Sequence, residues 1–101
     1  MKLGILGAGN IAGVMAKTIR ELNANGHPEV ELYAVAARDL DRARTFATAN
    51  GVQKAFGSYE EMLSDPQLDL VYIATPHSHH YHHIKLCADH GKHILCEKAF
   101  T

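Results

Sequence analysis

The sequence predicts an α/β fold: a doubly wound parallel sheet with helices on both faces, in the strand order 3-2-1-4-5. Three observations predict it. Five short apolar runs alternate with four stretches of helical periodicity. Several of the runs are apolar on both parities, as strands covered on both faces must be. The first run ends in a glycine turn that opens a helix, the junction on which such sheets are built.

The first strand lies in Lys2-Leu3-Gly4-Ile5-Leu6 and ends at Gly7. A helix from about Asn10 to Asn23 follows, with Ile11, Val14, Met15, Thr18, Ile19 and Leu22 at helical spacing. Asn25-Gly26-His27-Pro28 stops it. The second strand is Val30 to Ala37. Asp39 is the expected N-cap of the next helix, whose inner face is read as Leu40, Ala43, Phe46 and Ala47, with Gly51 at its C-terminal stop. Lys54-Ala55-Phe56 is a short third strand. Ser58-Tyr59-Glu60-Glu61 has the spacing of a capping box and starts a short helix. After the Asp65-Pro66 turn, Leu70 to Ala74 forms the fourth strand. Thr75-Pro76-His77-Ser78 breaks it and begins a helix ending near Gly91. His93 to Cys96 is the fifth strand, followed by Glu97-Lys98-Ala99.

Length and composition bound the function classes. A chain of 101 residues has room for one domain. At 47% hydrophobic and 21% charged residues it has the balance of an ordinary soluble protein. A net charge of −1 gives no reason to expect nucleic acid or a membrane surface as partner. No run is apolar enough to span a bilayer, and the N-terminus lacks the pattern of a signal peptide. Cys87 and Cys96 do not make a disulfide framework, so reduced thiols and a cytoplasmic location are expected. Cys96, in an apolar run, is expected to be a small core residue.

Ligands of such sheets bind beyond the carboxyl ends of the strands, and four notable groups fall there. The first is Gly7-Ala8-Gly9-Asn10-Ile11-Ala12, which fits G-x-G-x-x-G/A between a strand and a helix. Gly7 permits the tight turn, Gly9 lets a pyrophosphate approach the backbone, and Ala12 lets the helix pack close. The helix N-terminus then faces the phosphates. The plain alternative is that the glycines only make a turn; the strand–turn–helix context favours dinucleotide binding. The second group follows strand 2, which ends Ala36-Ala37-Arg38-Asp39. A small residue followed by arginine favours NADP, because a guanidinium grips a 2′-phosphate in a two-pronged way, and Arg42 adds charge one turn on. Asp39 accepting ribose hydroxyls would instead favour NAD; its other role is the cap. Thr75-Pro76 after strand 4 is the third group and Lys98 after strand 5 the fourth. A lysine there serves as proton donor or acceptor if burial or a nearby positive charge lowers its pKa. From spacing alone, Glu97 and Lys98 read as well as a solvated ion pair.

Five of the eight histidines lie between His77 and His83. His79 and His83 share a helical face, as two metal ligands would. No Asp, Glu or Cys stands among them as a third ligand, so no metal site is assigned.

These residues together resemble the N-terminal domain of the glucose–fructose oxidoreductase/inositol dehydrogenase (Gfo/Idh/MocA) family. The resemblance covers the whole chain, in GILGAGNIAG at Gly4–Gly13, AVAARDLDRA at Ala34–Ala43, GSYEEML at Gly57–Leu63, IATPHSHH at Ile73–His80 and GKHILCEKAF at Gly91–Phe100. The pattern is most similar to the dimeric dihydrodiol/D-xylose dehydrogenase branch, whose second strand also ends in Ala-Arg and which uses NADP. The resemblance implies an oxidoreductase acting on a sugar, polyol or related hydroxyl compound. It implies that Gly7, Gly9, Asn10 and Ile11 hold the pyrophosphate and that Arg38 reads the adenosine end. Thr75, Pro76, His77 and His80 would shape the cleft, Glu97 would contact the nicotinamide ribose, and Lys98 would be the catalytic lysine. Two positions depart from the family pattern: Ala99 stands where proline usually follows the lysine, and His77 where asparagine is frequent.

Family members carry a second, largely antiparallel domain that supplies substrate contacts and usually the oligomer interface. Residues 1–101 are therefore expected to be the cofactor domain of a longer homo-oligomeric enzyme, without turnover alone. The alternatives are a non-catalytic dinucleotide-binding or regulatory module and a histidine-rich metal-binding protein on the same scaffold.

Overall fold

The computed structural model describes residues 1–26, 30–74 and 77–96; for Asn10, 77–81 and 95–96 it describes the backbone alone. In chain order the elements are β1 (Lys2–Leu6), α1 (Asn10–Ala24), β2 (Glu31–Ala36), α2 (Leu40–Asn50), β3 (Lys54–Phe56), α3 (Tyr59–Leu63), β4 (Leu70–Ile73), α4 (His77–Asp89) and β5 (His93–Cys96). The five strands form one sheet in the order β3-β2-β1-β4-β5, and every pairing is parallel. Fold class and strand order agree with the sequence reading.

The alternating side chains of the strands divide the core into two layers. On one face Leu3, Ile5, Leu32 and Val35 pack against Ala12, Ala16 and Ile19 of α1 and Ala43 and Phe46 of α2. On the other face Leu6, Ala36, Val71 and Ile73 pack against Met62 and Leu63 of α3 and Cys87 of α4. The connections leaving β1 and β2 thus cover one face and those leaving β3 and β4 the other. The direction of winding reverses between β1 and β4, and the crevice at that reversal is where open parallel sheets take ligands.

Local chemistry sets the helix ends. The Asp39 carboxylate accepts a hydrogen bond from the Asp41 N–H at 2.9 Å and caps α2. Ser58 Oγ accepts from the Glu61 N–H at 3.3 Å and caps α3. Gly51 closes α2 with φ 69°, a left-handed conformation that glycine adopts without penalty.

The structure decides which face α1 buries and corrects the inner face read for α2. In α1 the buried residues are Ala12, Ala16 and Ile19, while Ile11, Val14 and Leu22 are 49%, 67% and 44% exposed. The small side chains of Ala12 and Ala16 bring the helix down onto the sheet. That leaves the Ile11–Val14–Thr18–Leu22 stripe on a flank roughly 100° around the helix from the core face. Thr18 Oγ1 donates to the Val14 carbonyl at 3.0 Å, which satisfies its hydroxyl within the stripe. In α2, Leu40 is exposed rather than internal, and the buried residues are Ala43 and Phe46.

The register of β2 on β1 shifts between Leu3 and Gly4: Leu3 pairs with Leu32 and Gly4 with Ala34. Tyr33 is the extra residue of this bulge, so Tyr33 and Ala34 both join the α3/α4 layer. The buried Tyr33 hydroxyl donates to Asp65 Oδ2 at 2.7 Å, and Lys54 Nζ stands 3.5 Å from the same oxygen. Lys92 Nζ donates to the carbonyls of Asp65 and Leu68, both at 2.9 Å, and so fixes the loop before β4.

Candidate functional site: the glycine turn and the strand ends beside it

β1 is the central strand, and its exit is the centre of the site. Gly7 has φ 109°, a conformation closed to ordinary side chains, and its N–H donates to the Ala36 carbonyl at 2.8 Å. The turn is thereby pinned to the end of β2. On the other side the Ala74 N–H donates to the Leu6 carbonyl at 2.9 Å, which pins the end of β4 to β1. Three strand ends are held in one row.

Gly9 follows as the N-cap of α1, with φ −94° and ψ −163°. This is extended backbone that any residue adopts. A Cβ built on Gly9 meets nothing within 4 Å among the described residues. Neither backbone strain nor packing among the described residues therefore requires glycine here, and the space lies at the mouth of a helix. The cap provides no side-chain hydrogen bond, and no acidic residue stands in the first turn of α1. The N–H groups and positive end of this helix are thus presented outward, a ready anion site. By contrast, α2 and α3 are capped by their own side chains. Ala12, at the third motif position, is fully buried against the sheet.

At the end of β2 the Ala37 N–H donates to the Phe56 carbonyl at 3.1 Å. Arg38 and Asp39 emerge next and both are exposed. The cap engages Asp39 Oδ1, the role preferred for it from sequence. A groove of about 430 Å³ runs from Ala8 along α2, past Asp39, Asp41, Arg42, Thr45 and Phe46. It joins the glycine turn to the helix that carries Arg42. Thr45 was not a sequence candidate; an exposed polar residue one turn beyond Arg42 carries no motif that would single it out.

The parallel sheet therefore brings Gly7, Gly9, the backbone of Asn10 and Ile11, and Arg38 to one end of the molecule. α4 begins at His77, just beyond β4 at the same end. His77 and His80 lie in the first turn of α4 and are described at backbone level. Thr75, Pro76, Glu97 and Lys98 lie outside the described residues. Of the histidine run, His83 is 3% exposed and packs edge-on against Tyr59, with ring centroids 5.0 Å apart and an angle of 83°. The His82 ring is 5.7 Å away. Among the described residues no three His, Cys, Asp or Glu side chains are grouped to hold a metal ion. No helix of the described residues is long and apolar enough to cross a membrane.

Comparison with known proteins agrees with this geometry. The family described as "Oxidoreductase family, NAD-binding Rossmann fold" (GFO_IDH_MocA) matches residues 1–101. A trans-1,2-dihydrobenzene-1,2-diol dehydrogenase of Mus musculus is 43% identical over 98 residues, which cover 97% of this chain and 28% of that protein. The crystal structure of an NAD binding oxidoreductase from Klebsiella pneumoniae superposes with a TM-score of 0.90 at 33% identity, covering 97% of this chain and 27% of the other. A 3-ketoreductase from Actinomadura kijaniata, solved with TDP-benzene and NADP, has a TM-score of 0.86 at 28% identity, over 100% of this chain and 30% of the other. The chain thus spans about 28% of the length of the curated relatives it matches.

Proposed function

The chain belongs to the oxidoreductase family with the NAD-binding Rossmann fold, and from that premise we propose that it forms the cofactor-binding part of an NAD(P)-dependent enzyme. The enzyme moves hydride between nicotinamide and a sugar- or polyol-type carbon bearing a hydroxyl. The observation that carries this reading is the start of α1: a helix mouth without a side-chain cap, behind a glycine whose Cβ position meets none of the described residues. A pyrophosphate fits that cradle.

A nicotinamide cofactor bound there supplies the hydride acceptor or donor. The chain's own residues bind and orient. Gly7 and Gly9 make room, and the backbone N–H groups of Asn10 and Ile11 face the phosphates. Arg38 grips the adenosine 2′-phosphate, with Arg42 adding positive charge, so NADP is preferred and NAD accepted. Two things support the preference: the guanidinium at the end of β2, and the engagement of Asp39 by the cap. The NADP bound to the 28%-identical 3-ketoreductase is in keeping with it. Thr75, Pro76, His77 and His80 shape the cleft, and Glu97 contacts the nicotinamide ribose. Lys98 Nζ takes the hydroxyl proton as hydride leaves the same carbon, or returns it in the reverse direction. A lysine does this when its pKa is brought toward neutrality. We assign substrate choice, turnover and homo-oligomer assembly to polypeptide corresponding to the rest of the longer relatives. The free, buried Cys87 thiol is in keeping with a reducing, cytoplasmic setting.

The test is a fluorescence titration with NADPH and NADH, repeated at higher salt and with Arg38→Ala. NADPH is expected to bind about tenfold tighter, a difference of about 1.4 kcal/mol. Salt and Arg38→Ala should each erode that margin. Equal affinities insensitive to Arg38→Ala would refute the NADP assignment, and binding of neither nucleotide would refute the cofactor reading.

A further inference from the structure

We propose that Asn25-Gly26, where α1 gives way to the connection to β2, is a site of spontaneous deamidation, and that the fold shields the chain's second Asn-Gly pair, Asn50-Gly51, from the same reaction. An Asn-Gly pair carries the reaction within itself. The glycine nitrogen gives up its proton to solvent and attacks the asparagine Cγ. An N–Cγ bond forms, the Cγ–Nδ2 bond breaks, and ammonia leaves with a proton from water. Water then opens the succinimide ring at either carbonyl and leaves aspartate or isoaspartate; nothing is oxidised or reduced. Glycine favours the step because no Cβ crowds the attacking nitrogen or hinders the rotation that brings it round. The two pairs stand at the ends of α1 and α2, and the sequence alone does not separate them.

The structure separates them. The attacking nitrogen reaches Cγ only if the asparagine ψ rotates away from its helical or near-helical value. At position 25 little opposes that rotation. Asn25 is the C-cap of α1, with φ −94° and ψ 17°, and both Asn25 and Gly26 are exposed. The Gly26 N–H is held by a long hydrogen bond, 3.4 Å to the Asn23 carbonyl. A Cβ built on Gly26 meets nothing within 4 Å among the described residues. Helix ends held this loosely open at little cost. At position 50 the same rotation works against a set of hydrogen bonds. Asn50 Nδ2 donates to the Phe46 carbonyl at 3.0 Å, which holds the reacting amide along the helix. The Gly51 N–H donates to the Ala47 carbonyl, and the Val52 N–H donates to the same oxygen at 3.0 Å. Val52 is buried in the α1/α2 layer, so freeing the Gly51 nitrogen also disturbs a core side chain. The product at position 25 puts a carboxylate at the negative end of the α1 dipole, which weakens that end further.

Peptide mapping by mass spectrometry is the test. Trypsin cuts after Arg20 and Arg38 and after Arg44 and Lys54, so the two pairs fall in different peptides. The folded protein is incubated in mildly alkaline buffer and sampled over days, beside the same protein in guanidinium chloride and beside Asn25→Gln, whose longer side chain closes the ring poorly. In the folded protein Asn25 should convert from amide to acid at least about tenfold faster than Asn50. In guanidinium chloride the two rates should come together. Asn25→Gln should keep the wild-type Tm and lose the conversion at position 25 alone. No conversion at Asn25, or conversion at Asn50 as fast in the folded protein, would overturn the proposal. So would a difference that survives in guanidinium chloride, because the local sequence and not the fold would then set it.

Discussion

Gly4 lies in the central strand, and its missing side chain is filled from above: a Cβ there would stand 2.8 Å from Leu68 Cδ1 and 2.9 Å from Met62 Sδ. Both neighbours are fully buried, so neither tip has open space to move into. Gly4→Ala should destabilise by ~1–3 kcal/mol in chemical denaturation, as overpacking of a filled core does. Gly13 offers the opposite case. It stands inside α1, where a Cβ meets none of the described residues, so Gly13→Ala should stabilise by about 0.5–1 kcal/mol and leave nucleotide affinity intact. Burial pushes the Cys87 thiol up to about 11. In folded protein Cys87 should therefore resist thiol-specific reagents at about pH 8, and its reaction should follow unfolding. At this scale the sequence is a good guide where chemistry is local. Asp39, Ser58 and Gly51 act as caps because side chain and backbone a few residues apart decide the matter. Leu40 was misplaced, and the exposure of Val14 and Leu22 was not legible, because a helical period names an apolar face without saying which flank of it a neighbouring layer covers.

Among the elements, β2 holds the feature least legible in sequence. Val30 to Ala37 is apolar on both parities, so nothing marks where the pleat slips a residue, yet the bulge at Tyr33 puts two consecutive side chains in one layer. The partner that makes this tolerable is Asp65, 32 positions away. Burial would raise the Asp65 carboxyl, but the Tyr33 hydroxyl, the Gln67 N–H and the Lys54 ammonium outweigh it and hold its pKa below the ordinary 3.8. A carboxyl whose folded pKa lies below its unfolded one stabilises fully above the unfolded value. That contribution is lost as pH falls through the folded value, so it should fade below about pH 4. Urea unfolding at neutral pH and at about pH 3 tests this: Asp65→Asn should show a smaller loss between the two than wild type. Asp65→Ala, which leaves the buried Tyr33 hydroxyl without this acceptor, should cost about 1–3 kcal/mol at neutral pH. An Asp65→Asn protein with an acid limb identical to wild type would remove Asp65 from the account.

Across the whole molecule, topology was the most legible property. Alternation of strands and helices leaves few arrangements once crossovers are right-handed, and the observed order is the one expected. The same topology explains why the site was half legible. A parallel sheet must deliver Gly7, Arg38 and the start of α4 to one end, whatever the loops do. What the period of a strand does not carry is the aim of a side chain beyond it, which is the question for Lys98, Glu97 and Thr75, outside the described residues. On the proposed function, the space at Gly9 serves a nucleotide pyrophosphate and not the fold. Gly9→Ala tests it most directly, with Tm and nucleotide titrations on the same preparation. Because φ at Gly9 is −94° and an added Cβ touches none of the described residues, the variant should melt with wild type. It should nonetheless bind both NADPH and NADH at least about tenfold more weakly, a loss of about 1.4 kcal/mol. A Gly9→Ala chain that is as stable as wild type and binds both nucleotides as tightly would contradict the claim.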